Sequence, residues 1–161
     1  RIYRPLPFGL VARAKLTLGL IEGWDLDHQV PVSELYYVGG INSVRGYRYL
    51  SIAPTQRERA YDSRDSSINE VPKGGDKQAI LNLELEFPLF QTVGVRGVVF
   101  ADAGNSFPEG AYDDPGVRAS LYKSVGFGFR WISPIGPLRL DLAWGREVRK
   151  ARLHFSVGVA F

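Results

Sequence analysis

Apolar and polar residues alternate with a period of two through most of the chain, in runs about as long as a tilted strand needs to cross a bilayer. Between residues 8 and 21, Leu10, Ala12, Ala14, Leu16, Leu18 and Leu20 fall on one face of an extended chain, and Val11, Arg13, Lys15, Thr17 and Gly19 on the other. Residues 77–87 repeat the pattern, with Ala79, Leu81, Leu83, Leu85 and Phe87 against Gln78, Ile80, Asn82, Glu84 and Glu86. In 93–104, Val93, Val95, Val99 and Ala101 oppose Arg96, Val98, Phe100 and Asp102; in 121–132, Val125, Phe127, Phe129 and Trp131 oppose Ser124, Gly126, Gly128 and Arg130. Leu138, Leu140, Leu142 and Trp144 then alternate with Arg139, Asp141, Ala143 and Gly145. The chain closes on Leu153, Phe155, Val157, Val159 and Phe161, interleaved with His154, Ser156, Gly158 and Ala160. These runs predict six strands, and the RIYRPL stretch at 1–6 predicts a seventh. No helical stripe persists, because Gly and Pro interrupt most windows outside the strands.

The connections fall into two kinds. Those near 88–92 and 133–137 are short and rich in Pro or Gly, whereas residues 22–76, the FPEGAYDDPGVRAS segment and REVRKAR are longer and charged. Short turns on one side and long loops on the other are the asymmetry of an outer-membrane barrel. A soluble β-sandwich also alternates, but its polar face is plain solvent surface and has no need of glycines beside solitary charges; here the polar face carries both. The expected fold is therefore all-β, an antiparallel transmembrane β-barrel, and a partial one. Six or seven strands are too few to close, since single-chain bacterial barrels start at about eight. Open edges in hydrocarbon leave backbone groups unpaired at several kcal/mol each, so the edges are expected to pair with missing strands or with another chain. The connection 22–76 is too long for a casual hairpin loop, and its TQRERAYDSRDSSINE stretch reads as solvated and mobile.

Composition removes several chemistries. The 161 residues include no cysteine and only two histidines, His28 and His154, which leaves little for thiol or zinc chemistry. A formal net charge of +3, with Lys and Arg spread among acids, is a weak nucleic-acid footprint. Glu84 and Glu86 lie two apart on one strand face, as a glycosidase carboxylate pair could, but no cleft or aromatic platform accompanies them. GFGFRW lacks the third glycine of a phosphate cradle, and no nucleophile elbow is present. The acids between Asp62 and Glu70 and at Asp113–Asp114 match no EF-hand spacing. Trp131, Trp144, Tyr122 and Phe161 suit interfacial girdle positions. The chain is expected not to be an enzyme, and to bind no cofactor, metal or nucleic acid.

The candidate chemistry lies in VGGINSVRGYRYL, residues 38–50, where an arginine stands between a valine and a glycine. An arginine flanked by residues that allow close backbone approach is usually aimed at a partner. The longer segment YYVGGINSVRGYRYLSIAP resembles the lumen-entering loop of the BamA family of outer-membrane protein assembly factors, which shares the Val-Arg-Gly-Phe/Tyr tetrad with TamA and the two-partner-secretion transporters. LNLELEFPLF, VFADAGNSF, RWISPIGPLRLDLAWG and LHFSVGVAF are similar to successive later strands of the family. The resemblance implies the last third of such a protein, the final strands of a barrel of about sixteen, without its earlier strands or its periplasmic POTRA domains. It also implies that residues 22–76 fold into the lumen and that Arg45 contacts acids on the inner wall. By motif position those acids are Glu84 and Asp102, which alternation independently turns inward. Gly39, Gly40, Val44, Gly46 and Tyr47 make up the rest of the loop motif, the glycines allowing a sharp turn and close passage to the wall. No inner-face partner is apparent for Asp141, nor any partner for either histidine.

The terminal pattern Leu153, Phe155, Val157, Val159, Phe161 resembles the C-terminal signal of outer-membrane barrels, and Gly158 matches a glycine at which the family's last strand kinks. A poorly zipped seam there would let an edge template an incoming strand. The implied function is folding and insertion of outer-membrane proteins. The implied partners are unfolded outer-membrane protein clients, outer-membrane lipid and accessory lipoproteins reached through the POTRA domains. A TamA-like assembly module and a two-partner-secretion polypeptide transporter remain as alternatives.

Overall fold

The computed structural model describes residues 1–23, 30–59, 68–108, 121–134, 136–148 and 150–158. His28, Asp113, Asp114, Val159 and Phe161, and the acids between 62 and 67, lie outside the described residues. Among the described residues nine strands run in chain order: β1 (Ile2–Pro5), β2 (Val11–Leu20), β3 (Thr55–Arg59), β4 (Ile68–Pro72), β5 (Lys77–Phe90), β6 (Val95–Phe107), β7 (Tyr122–Ser133), β8 (Gly136–Gly145) and β9 (Arg152–Val157). Seven of them form one sheet in the order β1-β2-β5-β6-β7-β8-β9, while β3 and β4 pair separately. Every ladder is antiparallel. β1 confirms the short seventh strand. Chain neighbours are sheet neighbours throughout the large sheet, save that the long connection and its own hairpin intervene between β2 and β5.

β5 and β6 reach further than the alternation marks, to Phe90 and Phe107. Pro88 has no N–H to give to the ladder, and the register shifts between Pro88 and Phe90, so a bulge carries the strand past the proline. A short 3-10 turn at Gln91–Val93 then closes on Gly94, which adopts left-handed φ 70°. The stretch read as solvated and mobile is in part ordered: its first residues pair with Ile68–Pro72, from Thr55↔Pro72 to Arg59↔Ile68. Such a ladder needs only backbone partners, and Thr55, Ile68 and Val71 favour extended backbone.

The two faces differ as the alternation requires. Leu16, Leu18, Leu83, Val99, Val125, Phe127, Phe129, Trp131, Leu140, Phe155 and others on the apolar face are exposed. Glu84, Glu86, Asp102, Ser124, Arg130, Arg139 and Asp141 on the opposite face are buried. That inversion of the soluble-protein rule is the signature of a sheet whose outer side meets lipid and whose inner side is filled. The filling is the chain's own connection between β2 and β5. Tyr3 of β1, Arg13 and Lys15 of β2, Asn42 and Arg45 of the connection, and Ser156 of β9 line a single cavity of about 430 Å³, so the sheet curls around the loop.

Candidate functional site

Two backbone bridges tie the loop down. Tyr36 pairs with Gly75 and Val38 with Ile52, the second through N–H···O contacts of 2.9 and 2.8 Å. Between them the chain turns tightly. Gly39 and Gly40 take φ of 114° and 100°, Gly40 N–H donates to the Val44 carbonyl at 3.1 Å, and Gly39 N–H to Ser43 Oγ at 2.8 Å. A Cβ on Gly39 would strike the Arg48 carbonyl and one on Gly40 would press on Tyr49. This pair therefore shapes the loop itself rather than its approach to the wall. Val38, Val44, Tyr47 and Ile52 form a small apolar core with Ile80 of β5, and Tyr122 and Val148 pack against it. Tyr122 thus belongs to the loop's seat and not to an interfacial girdle: Tyr47 stands edge-on to it with ring centroids 5.5 Å apart. Trp131 and Trp144 do face outward, and Trp131 donates its indole N–H to the Val93 carbonyl at 3.0 Å.

The tight turn delivers Arg45 to the wall, where it is 1% exposed. Its Nε and Nη2 bind the two oxygens of Asp102, each at 2.7 Å, and its backbone N–H adds a third contact to Asp102 at 3.1 Å. Nη1 reaches Glu84 at 2.5 Å and Asp141 at 3.1 Å. The guanidinium also lies over the Phe100 ring, 3.5 Å from its centroid. One planar fork thus joins three strands, taking Glu84 from β5, Asp102 from β6 and Asp141 from β8. Burial alone would lower the pKa of Arg45; the hydrogen bond and charge of Asp102, with Glu84 and Asp141, outweigh it and hold the pKa above the ordinary arginine value.

Asp141 is the partner that the alternation alone does not supply. Arg139 Nε binds it at 2.7 Å, and Arg130 contacts the same carboxylate and reaches Glu84 at 3.4 Å. Arg45, Arg130 and Arg139 therefore face Glu84, Asp102 and Asp141, three charges of each sign. Asn82 braces the cluster, donating to Asp102 at 2.8 Å and to the Ser43 carbonyl at 2.6 Å. Glu86 is engaged elsewhere, by Arg13 at 2.8 Å and Arg96 at 3.1 Å, so Glu84 and Glu86 serve separate ion pairs rather than one carboxylate dyad.

Glycines make this fit possible at two kinds of place. Gly46, at φ 86°, lies against the β8 backbone: a Cβ there would sit 2.7 Å from the Gly145 nitrogen. On β7, Cβ atoms at Gly126 and Gly128 would collide with the Phe100 ring and the Asp141 carboxylate respectively. The inner-face glycines are thus spaces for the cluster. Beyond Gly46, the Tyr47 hydroxyl binds the Lys123 carbonyl at 3.0 Å and pairs with Glu147. Burial, then the bond to Glu147, pushes the Tyr47 phenol up to about 12. His154 also has a partner, accepting the Gly46 N–H on Nε2 at 3.1 Å.

At the terminal strand, Leu153, Phe155 and Val157 point outward and are exposed. Gly158 follows at φ 101°, has open space where a Cβ would stand, and donates its N–H to the Pro137 carbonyl at 3.0 Å. The ladder with β8 ends at Leu138↔Val157, just before it.

Comparison with known proteins agrees with this architecture. The Omp85 superfamily domain matches residues 3–161. The outer membrane protein assembly factor BamA of Nitratidesulfovibrio vulgaris is 37% identical over 141 residues, covering 82% of this chain and 16% of that protein. BamA of Neisseria meningitidis serogroup B is 28% identical, covering 89% of this chain and 21% of its own length. The chloroplastic outer envelope protein 80 of Arabidopsis thaliana is 34% identical over 78% of this chain and 15% of its own. The chain thus spans only about a sixth to a fifth of these relatives. Among solved structures, the crystal structure of BamA from Haemophilus ducreyi lacking POTRA domains 1–3 superposes with a TM-score of 0.72 at 25% identity, over 95% of this chain and 32% of that one. The chain belongs to the Omp85 superfamily and forms part of an outer-membrane β-barrel.

Proposed function

We propose that this chain is the working barrel segment of an assembly factor that folds and inserts β-barrel proteins into the outer membrane. The observation that carries the reading is the locked loop: a buried arginine held by acids from three strands inside a sheet whose other face is apolar. A loop wedged so firmly into the lumen would obstruct a wide passive pore. The relatives named as assembly factors support the same class of activity. The lock keeps the inner wall in one arrangement while β9, an edge strand of the sheet that stays bonded to β8 as far as Gly158, offers the backbone hydrogen bonds of its other side to a client strand. Exchange of strand hydrogen bonds requires no covalent step and no bound nucleotide. Unfolded outer-membrane proteins are the proposed clients, lipid the surroundings, and accessory lipoproteins the partners of the wider protein.

The test is client insertion by the complete protein reconstituted in liposomes. Arg45→Ala is expected to reduce the rate of barrel insertion by tenfold or more while circular dichroism retains the sheet. Insertion at the unaltered rate in that variant would overturn the proposal.

A further inference from the structure

All the Arg45 side-chain bonds go to β5, β6 and β8, and the Tyr47 hydroxyl turns toward Lys123 of β7 and Glu147. The bond from Gly46 runs elsewhere, to His154 in the middle of β9, which stands opposite Asp141 in the β8–β9 ladder. A backbone N–H can only donate. Nε2 must therefore present a lone pair, which requires a neutral ring carrying its proton on Nδ1. An imidazolium has no acceptor nitrogen, and its added N–H would meet the Gly46 N–H head on.

We infer that His154 is a positioning residue: it ties the lumen loop to the β9 strand through a bond that exists only while its ring is neutral. Protonation releases the loop from β9 alone and leaves the arginine cluster in place. The charged groups facing the ring are Asp141 and Arg139 on β8, Arg152 on β9 itself and Arg45 on the loop. Carboxylates and guanidiniums of this kind keep their charge down to about pH 5, so as the pH falls the imidazole is the member of this group that switches. The arrangement also works in reverse. Displacement of β9 removes His154 from Gly46, so a change at the terminal strand is felt by the loop that fills the lumen.

The inference stands on the docked loop and not on the assembly activity proposed above, so a failed insertion assay would leave it intact. Hydrogen exchange across residues 44–48 of the complete protein in lipid nanodiscs tests it. With intrinsic rates corrected for pH, protection in the wild type should fall by up to about fivefold between pH 8 and about 5, as loss of one net hydrogen bond implies. H154Q keeps an acceptor oxygen at similar reach and does not titrate, so its protection should be high and flat across the same range. H154F should be poorly protected at both values; should it fail to fold, the wild type and H154Q decide the matter. A wild type without pH dependence, an equal pH dependence in H154Q, or full protection in H154F would each overturn the inference.

Discussion

Phe127 and Gly128 are adjacent in β7, yet they belong to different regimes. Phe127 stands on the outer face beside Trp144, their rings 5.7 Å apart, where any bulky apolar group would satisfy lipid. Gly128 stands on the inner face, where even a methyl group would collide with the Asp141 carboxylate. The outer face is specified by polarity alone. The inner face is specified atom by atom, because charges removed from water need partners at bonding distance and the loop backbone has to fit between them.

The contrast can be broken from either side. The largest effect is expected from Asp102→Ala, which strips the Arg45 guanidinium of its bidentate partner and its backbone N–H of an acceptor. Nη1 keeps Glu84 and Asp141, but removing one partner of a buried ion pair costs up to about 3–5 kcal/mol, and limited proteolysis should show cleavage between residues 40 and 52 where the wild type resists. Next comes a charge placed on the outer face. Leu83→Arg, midway along β5, should cost about 2–4 kcal/mol in denaturant unfolding from lipid, whereas Leu83→Ile should be nearly silent. Equal effects of those two substitutions would show that the outer face is as exacting as the inner.

Gly46→Ala sharpens the comparison further, because it adds a single methyl group. Its φ of 86° and the closeness of the Gly145 nitrogen should cost about 1–3 kcal/mol, seen as faster amide exchange in the loop with an unchanged sheet. The smallest effect is that of Tyr47→Phe, about 1 kcal/mol for the lost hydroxyl bonds. The same phenol makes docking sensitive to alkali. Its pKa is raised in the folded state from 10 to about 12, so its contribution is complete below pH 10 and is lost as pH climbs through 12. Tyrosine absorbance should titrate late in the wild type, and loop protection should be less sensitive to alkali in Tyr47→Phe.

Much of the site was legible before the fold. The alternation turned Glu84 and Asp102 inward, and the loop motif carried by Arg45 resembled a lumen-facing segment. The meeting of Asp141 with Arg130 and Arg139 was not legible, although all three sit on the face that alternation marks as inner. What joins them is register: Gly128 stands opposite Asp141 and Arg130 opposite Arg139 across the β7–β8 ladder, and an alternating pattern is unchanged when a strand slides by two. A signal for the loop's seat was nevertheless present. Ile80, Val98 and Phe100 are apolar residues on an otherwise polar face: Ile80 is buried against the loop core, Phe100 lies under the Arg45 guanidinium, and Val98 is buried beside Phe100 and Ala143.

By itself, then, the sequence determined the side of the sheet to which each strand residue points, because successive Cβ atoms of an extended chain alternate by covalent geometry. Only the tertiary structure decided which inner groups touch. Arg45 lies 39 residues from Glu84, 57 from Asp102 and 96 from Asp141. Bringing them within bonding distance depends on ladder register, on the glycines that clear space and on the path of a long loop, none of which any local stretch of chain encodes alone.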